Sequence, residues 1–179
     1  RESSGTARLK ILDYDGNEFP DGEIGELYSA GPIMFDRYHK MPHQTTQAFR
    51  GDHFSAGDMA RRDADGYYHL VDRKHNLIIT GGEHVFPSEV EKIIGSHPAV
   101  FDAAVVGVSD PLWGEAVTAV VIVEEGSTAT EDEIIGHTKQ HLAHFKCPKR
   151  VVFIPADEMP RTGSGKVLHR VLRERYSAE

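Results

Sequence analysis

The first 72 residues alternate between apolar and polar positions, and turn residues interrupt the alternation repeatedly. The alternation runs through ARLKILDYDGNEFP and GEIGELYSAG, which predict strands because successive strand side chains point to opposite faces. A polar connection, HKMPHQTTQAF, predicts a short helix. The dipeptide Asp65-Gly66 predicts a hairpin between two further strands, since it tolerates the backbone of a tight turn. Short strands at this turn density predict a small barrel-like or sandwich subdomain.

The pattern changes after Asp72, where strand-like and helical segments alternate. Pro87-Ser88 predicts the start of a helix, because proline suits a first helical turn. The segment TEDEIIGHTKQHLAHF predicts a second helix with a capping box from Thr130 to Glu133, and a basic helix is predicted from about Gly165. Strands are predicted for the apolar runs AVFDAAVVGV, EAVTAVVIVEE and RVVFIP. The predicted class is α+β: a small β-barrel-like subdomain at residues 1–73, then a compact α+β domain at 74–179 with a short sheet flanked by helices.

Composition narrows the class of protein. The 179 residues contain no apolar run near the length of a membrane span, and one cysteine, Cys147, excludes an internal disulfide. These features predict a cytoplasmic protein without a transmembrane segment. The net charge of −8 argues against general nucleic-acid binding. Residues 146–175 nevertheless hold eight Lys and Arg against three Asp and Glu, which suits either a small polyanion or a solvated basic helix.

The segment PRTGSGK places Lys166 on a loop rich in glycine and serine. A nucleotide-binding P-loop would need glycine where Pro160 stands and a hydroxyl residue where Val167 stands. Because both are missing, the P-loop interpretation fails, and Lys166 must serve other anionic chemistry or none.

Several other residues carry candidate chemistry, each beside a simpler interpretation. Gly81-Gly82 allows close approach of a ligand, or forms only a tight turn. Asp58 could accept both hydroxyls of a ribose, or cap a turn. Arg73 could donate to ribose or phosphate, or form a surface ion pair.

Histidines and aromatic residues complete the candidate set. His137, His141 and His144 are predicted on one helical face, where a solvated surface is a better interpretation than a metal site, and we predict no metal ligand. Trp113 and Phe145, with Lys149 nearby, could stack on an adenine and meet phosphate, or could pack in the core.

Taken in order along the chain, three blocks resemble one family. The blocks are FSAGDMARRDADGYYHLVDRKHNLIITGGEHVFPSEVE, DPLWGEAVTAVVI and LAHFKCPKRVVFIPADEMPRTGSGKVLHRVL. They are similar to the C-terminal part of the adenylate-forming acyl-CoA synthetases, a superfamily that includes luciferases and the adenylation domains of peptide synthetases. The resemblance covers essentially the whole chain and looks most like fatty-acyl or aryl acyl-CoA ligases.

The resemblance implies a two-step reaction with ATP, Mg²⁺ and CoA. A carboxylic acid is converted to acyl-AMP and pyrophosphate, the C-terminal domain rotates, and the CoA thiol displaces AMP. The resemblance places Lys166 at the adenylation lysine. It places Asp58 and Arg73 at the ATP/AMP ribose and His75 at the hinge, where the family often has Asp or Lys.

For the CoA side the resemblance implies a different set of residues. Gly81 and Gly82 match the turn that lines the pantetheine tunnel. Trp113, Phe145 and Lys149 match positions that contact the CoA nucleotide in some ligases, and Cys147 stands where a basic residue sometimes assists.

The resemblance also implies what other parts of the enzyme supply. The phosphate loop, the Mg²⁺ ligands and the acyl pocket belong to a preceding N-terminal domain, so this chain is expected to be a C-terminal fragment that is inactive alone. Two alternatives stay open: an adenylation module that loads a carrier protein, and a non-catalytic nucleotide-binding module.

Overall fold

Residues 7–177 are described in a computed structural model, in which the chain divides into two units between His75 and Asn76. This division lies two residues after the boundary drawn from the sequence. Each unit combines strands with helices, so the predicted α+β class is confirmed.

The first unit is an antiparallel sheet built around its longest strand. Its elements are β1 (Arg8–Leu12), β2 (Ile24–Ala30), α1 (Pro42–Ala48), β3 (Phe49–Arg50), β4 (His53–Phe54), β5 (Asp58–Arg62) and β6 (Tyr68–Arg73). Strand β2 pairs with β1, β4 and β5, and β6 continues the sheet beyond β5. The buried apolar side chains of this unit come mainly from β1, β2 and β5: Ile11, Leu12, Tyr28, Ala30, Met59 and Ala60.

The predicted hairpin between β5 and β6 is confirmed. Its turn carries Gly66 at φ +79°, and Asp63 N donates to the Tyr67 carbonyl at 2.9 Å to close the loop. The ladder brings Asp58, the first residue of β5, opposite Arg73, the last residue of β6.

The second unit has a five-stranded sheet with helices on both faces. Its elements are β7 (Ile78–Thr80), β8 (Glu83–Val85), α2 (Pro87–Ile94), β9 (Val100–Asp110), β10 (Gly114–Val123), α3 (Glu131–Lys139), β11 (Arg150–Phe153) and α4 (His169–Ser177). Strand β10 pairs antiparallel with β7 and β9 and parallel with β11.

The side chains of β10 alternate between the two faces of the sheet, and this alternation explains why helices pack on both faces. Val117 and Val121 join a buried cluster with residues of α2 and α3, whereas Val120 and Ile122 join a second cluster with α4. The predicted sheet flanked by helices is therefore confirmed. Within residues 7–177, no helix is both long and apolar enough to cross a membrane.

Two helix boundaries predicted from the sequence are wrong. Helix α3 ends at Lys139 rather than near Phe145. The Gln140 N–H donates to the His137 carbonyl, three residues back, which makes a tighter turn than that of an α-helix. Helix α4 begins at His169 rather than near Gly165, since Gly165 has a φ of +84° that no right-handed helix contains.

Candidate functional site

Asp58 and Arg73 form an ion pair where β5 begins and β6 ends. Arg73 Nε lies 2.9 Å from Asp58 Oδ1, and Arg73 Nη1 donates to the Ala56 carbonyl at 3.1 Å. About half of the Arg73 side chain and a quarter of the Asp58 side chain remain exposed. The two predicted ribose-binding residues are thus brought together, with polar atoms still accessible.

A polar network around Glu26, which the sequence analysis missed, holds the residues next to this pair. Glu26 on β2 accepts from Lys74 Nζ at 2.7 Å, from Ser55 Oγ at 2.7 Å and from the Tyr28 hydroxyl at 3.2 Å. Ser55 Oγ in turn accepts from the Gly57 N–H at 2.9 Å, and the Lys74 N–H donates to the Gly57 carbonyl at 2.8 Å. The residues on either side of the Asp58–Arg73 pair are therefore fixed to β2.

Burial and the neighbouring polar groups shift the pKa of Glu26 in opposite directions. Burial alone would raise the pKa of Glu26, but hydrogen bonds from Lys74 and Ser55 and the Lys74 charge outweigh it and lower that pKa. Burial, followed by the charge of Glu26, raises the pKa of Tyr28, so its hydroxyl keeps the proton that it donates. No local pattern could signal this network, because Ser55 and Lys74 lie 29 and 48 residues from Glu26.

Lys166 lies in the second unit on a short hairpin that precedes α4. An antiparallel bridge joins Arg161 and Val167, and the Thr162 N–H donates to the Lys166 carbonyl at 2.8 Å. Gly165 makes the turn with its positive φ, which is readily accessible only to glycine. The backbone of Lys166 is therefore fixed while the residue itself is exposed.

The β7–β8 hairpin brings most of the candidate CoA residues together. Gly81 and Gly82 have φ of +59° and +86°, as a two-residue turn of the primed type requires. The Gly81 N–H donates to the Trp113 carbonyl at 2.8 Å, and the Trp113 ring lies so close that a Cβ on Gly81 would be 3.0 Å away. Lys149 Nζ lies 5.4 Å from the centroid of the Trp113 ring, which is a cation–π distance.

Glu115, which the sequence analysis did not single out, supports this hairpin. Its Oε2 accepts from the Ile79 N–H at 2.7 Å. A Cβ on Gly107 would lie 2.8 Å from the Glu115 carboxylate, so a side chain at this position would require that carboxylate to shift. The motif WGE was a possible signal for Glu115, but Ile79, the hydrogen-bond partner of Glu115, lies 36 residues away.

Phe145 and Cys147 differ from the rest of this group. Phe145 is partly exposed next to Lys146, whose ammonium lies 5.9 Å from the ring centroid and pairs with Glu89. Among the described contacts, none joins Phe145 to Trp113 or Lys149. Cys147 is 3% exposed, with Sγ 3.6 Å from the Ala143 carbonyl, so its side chain does not reach the surface as a basic residue would.

The histidines form a small cluster that differs from the predicted helical face. His144 lies beyond α3 in a 3-10 turn, whereas His97 joins the other two. The His137 ring lies 5.2 Å from that of His97 and 5.1 Å from that of His141. Within residues 7–177, no group of three or more His, Cys, Asp or Glu has an arrangement that could hold a metal ion.

The candidate residues therefore fall into separate groups. Asp58 and Arg73 belong to the first unit, and Lys166 and the Gly81-Gly82 hairpin belong to the second. The predicted hinge residue His75 is exposed in the 3-10 turn Lys74–Asn76, at the point where the chain divides.

Comparison with known proteins finds one matching domain family and similar ligases. Residues 89–166 match the AMP-binding enzyme C-terminal domain. A medium/long-chain-fatty-acid–CoA ligase from Mycobacterium tuberculosis is 40% identical over 177 residues, which cover 95% of this chain and 31% of the relative. A feruloyl-CoA synthase from an Amycolatopsis species is 42% identical over 168 residues, covering 94% of this chain and 34% of the relative.

Solved structures agree with the sequence matches. ATP-bound MatB from Rhodopseudomonas palustris matches with a TM-score of 0.90 at 40% identity, covering 96% of this chain and 34% of that one. The apo crystal structure of MatB matches at the same identity with a TM-score of 0.65, so the matched part of MatB differs in shape between its two structures. The chain spans about a third of the length of the relatives that it matches. Residues 89–166 therefore carry the C-terminal domain of the AMP-binding enzymes, and the chain is similar over nearly its whole length to CoA ligases.

Proposed function

We propose that this chain is the C-terminal part of an ATP-dependent acyl-CoA synthetase. The full-length protein would join a carboxylic acid to CoA through an acyl-AMP intermediate, releasing pyrophosphate and then AMP. The observation that carries the proposal is the setting of Lys166: an exposed ammonium on a hairpin whose backbone is fixed. A cation that leaves a fixed backbone suits stabilisation of charge in a transition state.

In the first half-reaction, a carboxylate oxygen attacks the α-phosphorus of ATP and the bond to pyrophosphate breaks. Lys166 stabilises the negative charge on the oxygens of this reacting group. Asp58 accepts hydrogen bonds from the ribose hydroxyls, since an ionised carboxylate keeps acceptor sites beyond the one that faces Arg73. Arg73 both orients Asp58 and offers donors to the same ribose.

In the second half-reaction, the CoA sulfur attacks the acyl carbon and AMP leaves. The Gly81-Gly82 turn borders the path of the pantetheine arm, because glycine leaves room for a chain to pass close to the backbone. Trp113 and Lys149 offer an aromatic face and a cation to the CoA nucleotide. His75 serves as the hinge between the two steps.

Magnesium has no ligand set in the described part of this chain. Residues 7–177 contain no cluster of acidic, histidine or cysteine side chains that fits a metal ion, so we assign none of them to Mg²⁺. The buried thiol of the single cysteine is compatible with a reducing compartment such as the cytoplasm.

The test uses the full-length protein and measures each half-reaction separately. Acyl-AMP formation is followed by pyrophosphate release over a panel of fatty and aryl carboxylic acids, and thioester formation is followed from supplied acyl-AMP and CoA. We expect Lys166→Ala to slow acyl-AMP formation by about 100-fold or more, because it removes one transition-state contact. Thioester formation from supplied acyl-AMP should largely survive.

Lys139→Ala provides a matched control, since Lys139 is an exposed lysine at the end of α3. It should leave both half-reactions at wild-type rates. Equal loss of both half-reactions in Lys166→Ala would refute the role given to Lys166. A product formed only with a phosphopantetheinyl carrier protein, and not with CoA, would replace the CoA ligase by a carrier-loading module.

A further inference from the structure

The peptide group between Gly165 and Lys166 is held at both of its polar atoms by side chains. Arg161 Nη1 donates to the Gly165 carbonyl at 2.9 Å, and the Lys166 N–H donates to Thr162 Oγ1 at 3.1 Å. The Thr162 hydroxyl is also 2.9 Å from Ser164 Oγ. Since the plane of this peptide sets where the Cα–Cβ bond of Lys166 points, these contacts fix the direction in which its side chain leaves the loop.

Arg161 also joins this loop to the central sheet. Its Nη2 pairs with Asp102 Oδ2 on β9, while the other Asp102 oxygen accepts from the Ala103 N–H at 2.8 Å. Strand β9 is anchored by its ladder with β10 along nearly its whole length. One guanidinium therefore reaches from a fixed strand to the carbonyl that directly precedes Lys166, which its rigid fork of donors makes possible.

We propose that Arg161 and Asp102 are positioning residues that set the direction of Lys166 for the adenylation step. This inference rests on the proposed function, because it assumes that Lys166 acts in that step. Neither residue needs to touch ATP. A lysine side chain is long and flexible, so its effect on a transition state depends on how well its backbone is placed. Both side chains are about one third exposed, and ion pairs of this kind contribute little to overall stability, so positioning and folding can be separated.

The experiment compares Arg161→Ala, Asp102→Asn and Arg161→Lys in the full-length protein. For Arg161→Ala and Asp102→Asn we expect the kcat of acyl-AMP formation to fall by about 10-fold to 100-fold, because small misplacements at a catalytic centre have effects of this size. The KM for ATP and the rate of thioester formation from supplied acyl-AMP should stay near wild type. Arg161→Lys should restore part of the lost kcat, since one ammonium replaces the charge but not the fork.

Arg170→Ala is the matched control. It removes an exposed arginine–carboxylate pair, in which Arg170 Nη1 lies 2.6 Å from Glu174 Oε1, from the neighbouring helix α4. Its kcat should equal that of the wild type. Hydrogen exchange gives a second readout: in Arg161→Ala, the amides of Gly165 and Lys166 should exchange faster while those of β9 and β10 stay protected.

The outcomes separate this inference from the proposed function. A wild-type protein that forms no acyl-AMP with any acid overturns both. If Lys166→Ala stops adenylation while Arg161→Ala and Asp102→Asn keep the wild-type kcat, the inference alone is wrong. A general loss of both half-reactions together with lower stability would also overturn it, because Arg161 would then only support the fold.

Discussion

Lys74 and Lys166 carry the same ammonium group in two different settings. Lys74 Nζ lies 2.7 Å from Glu26, whose side chain is only 13% exposed. Lys166 is exposed, and its backbone rather than its ammonium is held. The first ammonium stabilises a partly buried carboxylate, and the second stays available for a ligand. The contacts of each residue, rather than its type, therefore decide its role.

The Glu26 network predicts a stability that depends on pH. The pKa of Glu26 is lowered below its ordinary 4.5, so its ionised form stabilises the fold above that pH. This contribution is lost as the pH falls through the lowered pKa of the folded state. We expect Glu26→Gln to reduce the free energy of unfolding by about 1 to 3 kcal/mol at pH 7, because it leaves Lys74 without its charged partner. The difference should shrink as the pH falls from 7 to 2, because protonation of the wild-type carboxylate removes the same charge.

Urea unfolding of the chain, followed by far-ultraviolet circular dichroism at both pH values, measures this difference. Glu18→Gln is the control, because Glu18 pairs with Lys10 at 3.7 Å with almost half of each side chain exposed. It should change the free energy of unfolding by at most about 0.5 kcal/mol. A Glu26→Gln effect of the same size at both pH values would contradict the assignment of an ionised Glu26 to the folded state.

At the scale of elements, the β7–β8 hairpin depends on side chains that replace missing backbone pairs. Strand β7 pairs with β10 only at Thr80 and Gly114, and the Ile79 N–H bonds to the Glu115 carboxylate instead. Trp113 packs on Gly81 from the adjoining turn. The hairpin is thus held in a fixed place by Glu115 and Trp113, while Gly82 stays exposed with open space around it.

This geometry predicts a selective effect of Gly82→Leu. A Cβ at Gly82 would meet no atom of the protein within 4 Å, so a larger side chain there would project from the turn into the space proposed for the pantetheine arm. We expect the full-length variant to lose thioester formation from supplied acyl-AMP while it keeps acyl-AMP formation. The two half-reactions, assayed separately, check this expectation.

Gly126→Leu is the control that separates blockage of the pantetheine path from the effect of backbone strain. Gly126 has a φ of +77°, close to the +86° of Gly82, and also has open space where a side chain would begin. Both substitutions should therefore destabilise the protein similarly, by about 1 to 2 kcal/mol for an L-residue in this conformation. If Gly126→Leu impaired the thioester step as strongly as Gly82→Leu, strain rather than position would explain the loss.

At the scale of the whole molecule, local patterns predicted most elements but not the contacts between them. The capping box of Thr130 and Glu133 and the hairpin at Gly66 follow from neighbouring residues, and both were correct. Helix α3 was predicted too long because Leu142, beyond its end, packs against the buried cluster that includes Ile134, and this tertiary contact overrides the local preference.

The supporting residues of the candidate site could not be predicted for the same reason. Arg161 and Asp102 are 59 residues apart, and Lys74 and Glu26 are 48 residues apart. Neither pair forms a motif in the sequence, and each exists only because strands bring distant segments together. Lys166, Asp58 and Gly81-Gly82 could be proposed from the sequence because they stand in short segments that resemble motifs of the family.

The positions of Asp58 and Lys166 lead to a prediction about binding by residues 1–179 alone. Asp58 and Lys166 belong to different units, and relatives are about three times as long as this chain. We expect calorimetry of the chain with ATP, AMP or CoA to give a Kd of about 1 mM or weaker, a binding free energy of only about −4 kcal/mol. The full-length protein should bind ATP much more tightly, and Asp58→Ala should weaken that binding.

Micromolar binding by residues 1–179 that Asp58→Ala abolishes would instead show a complete nucleotide site within this chain. It would favour a stand-alone nucleotide-binding module over half of a catalytic site.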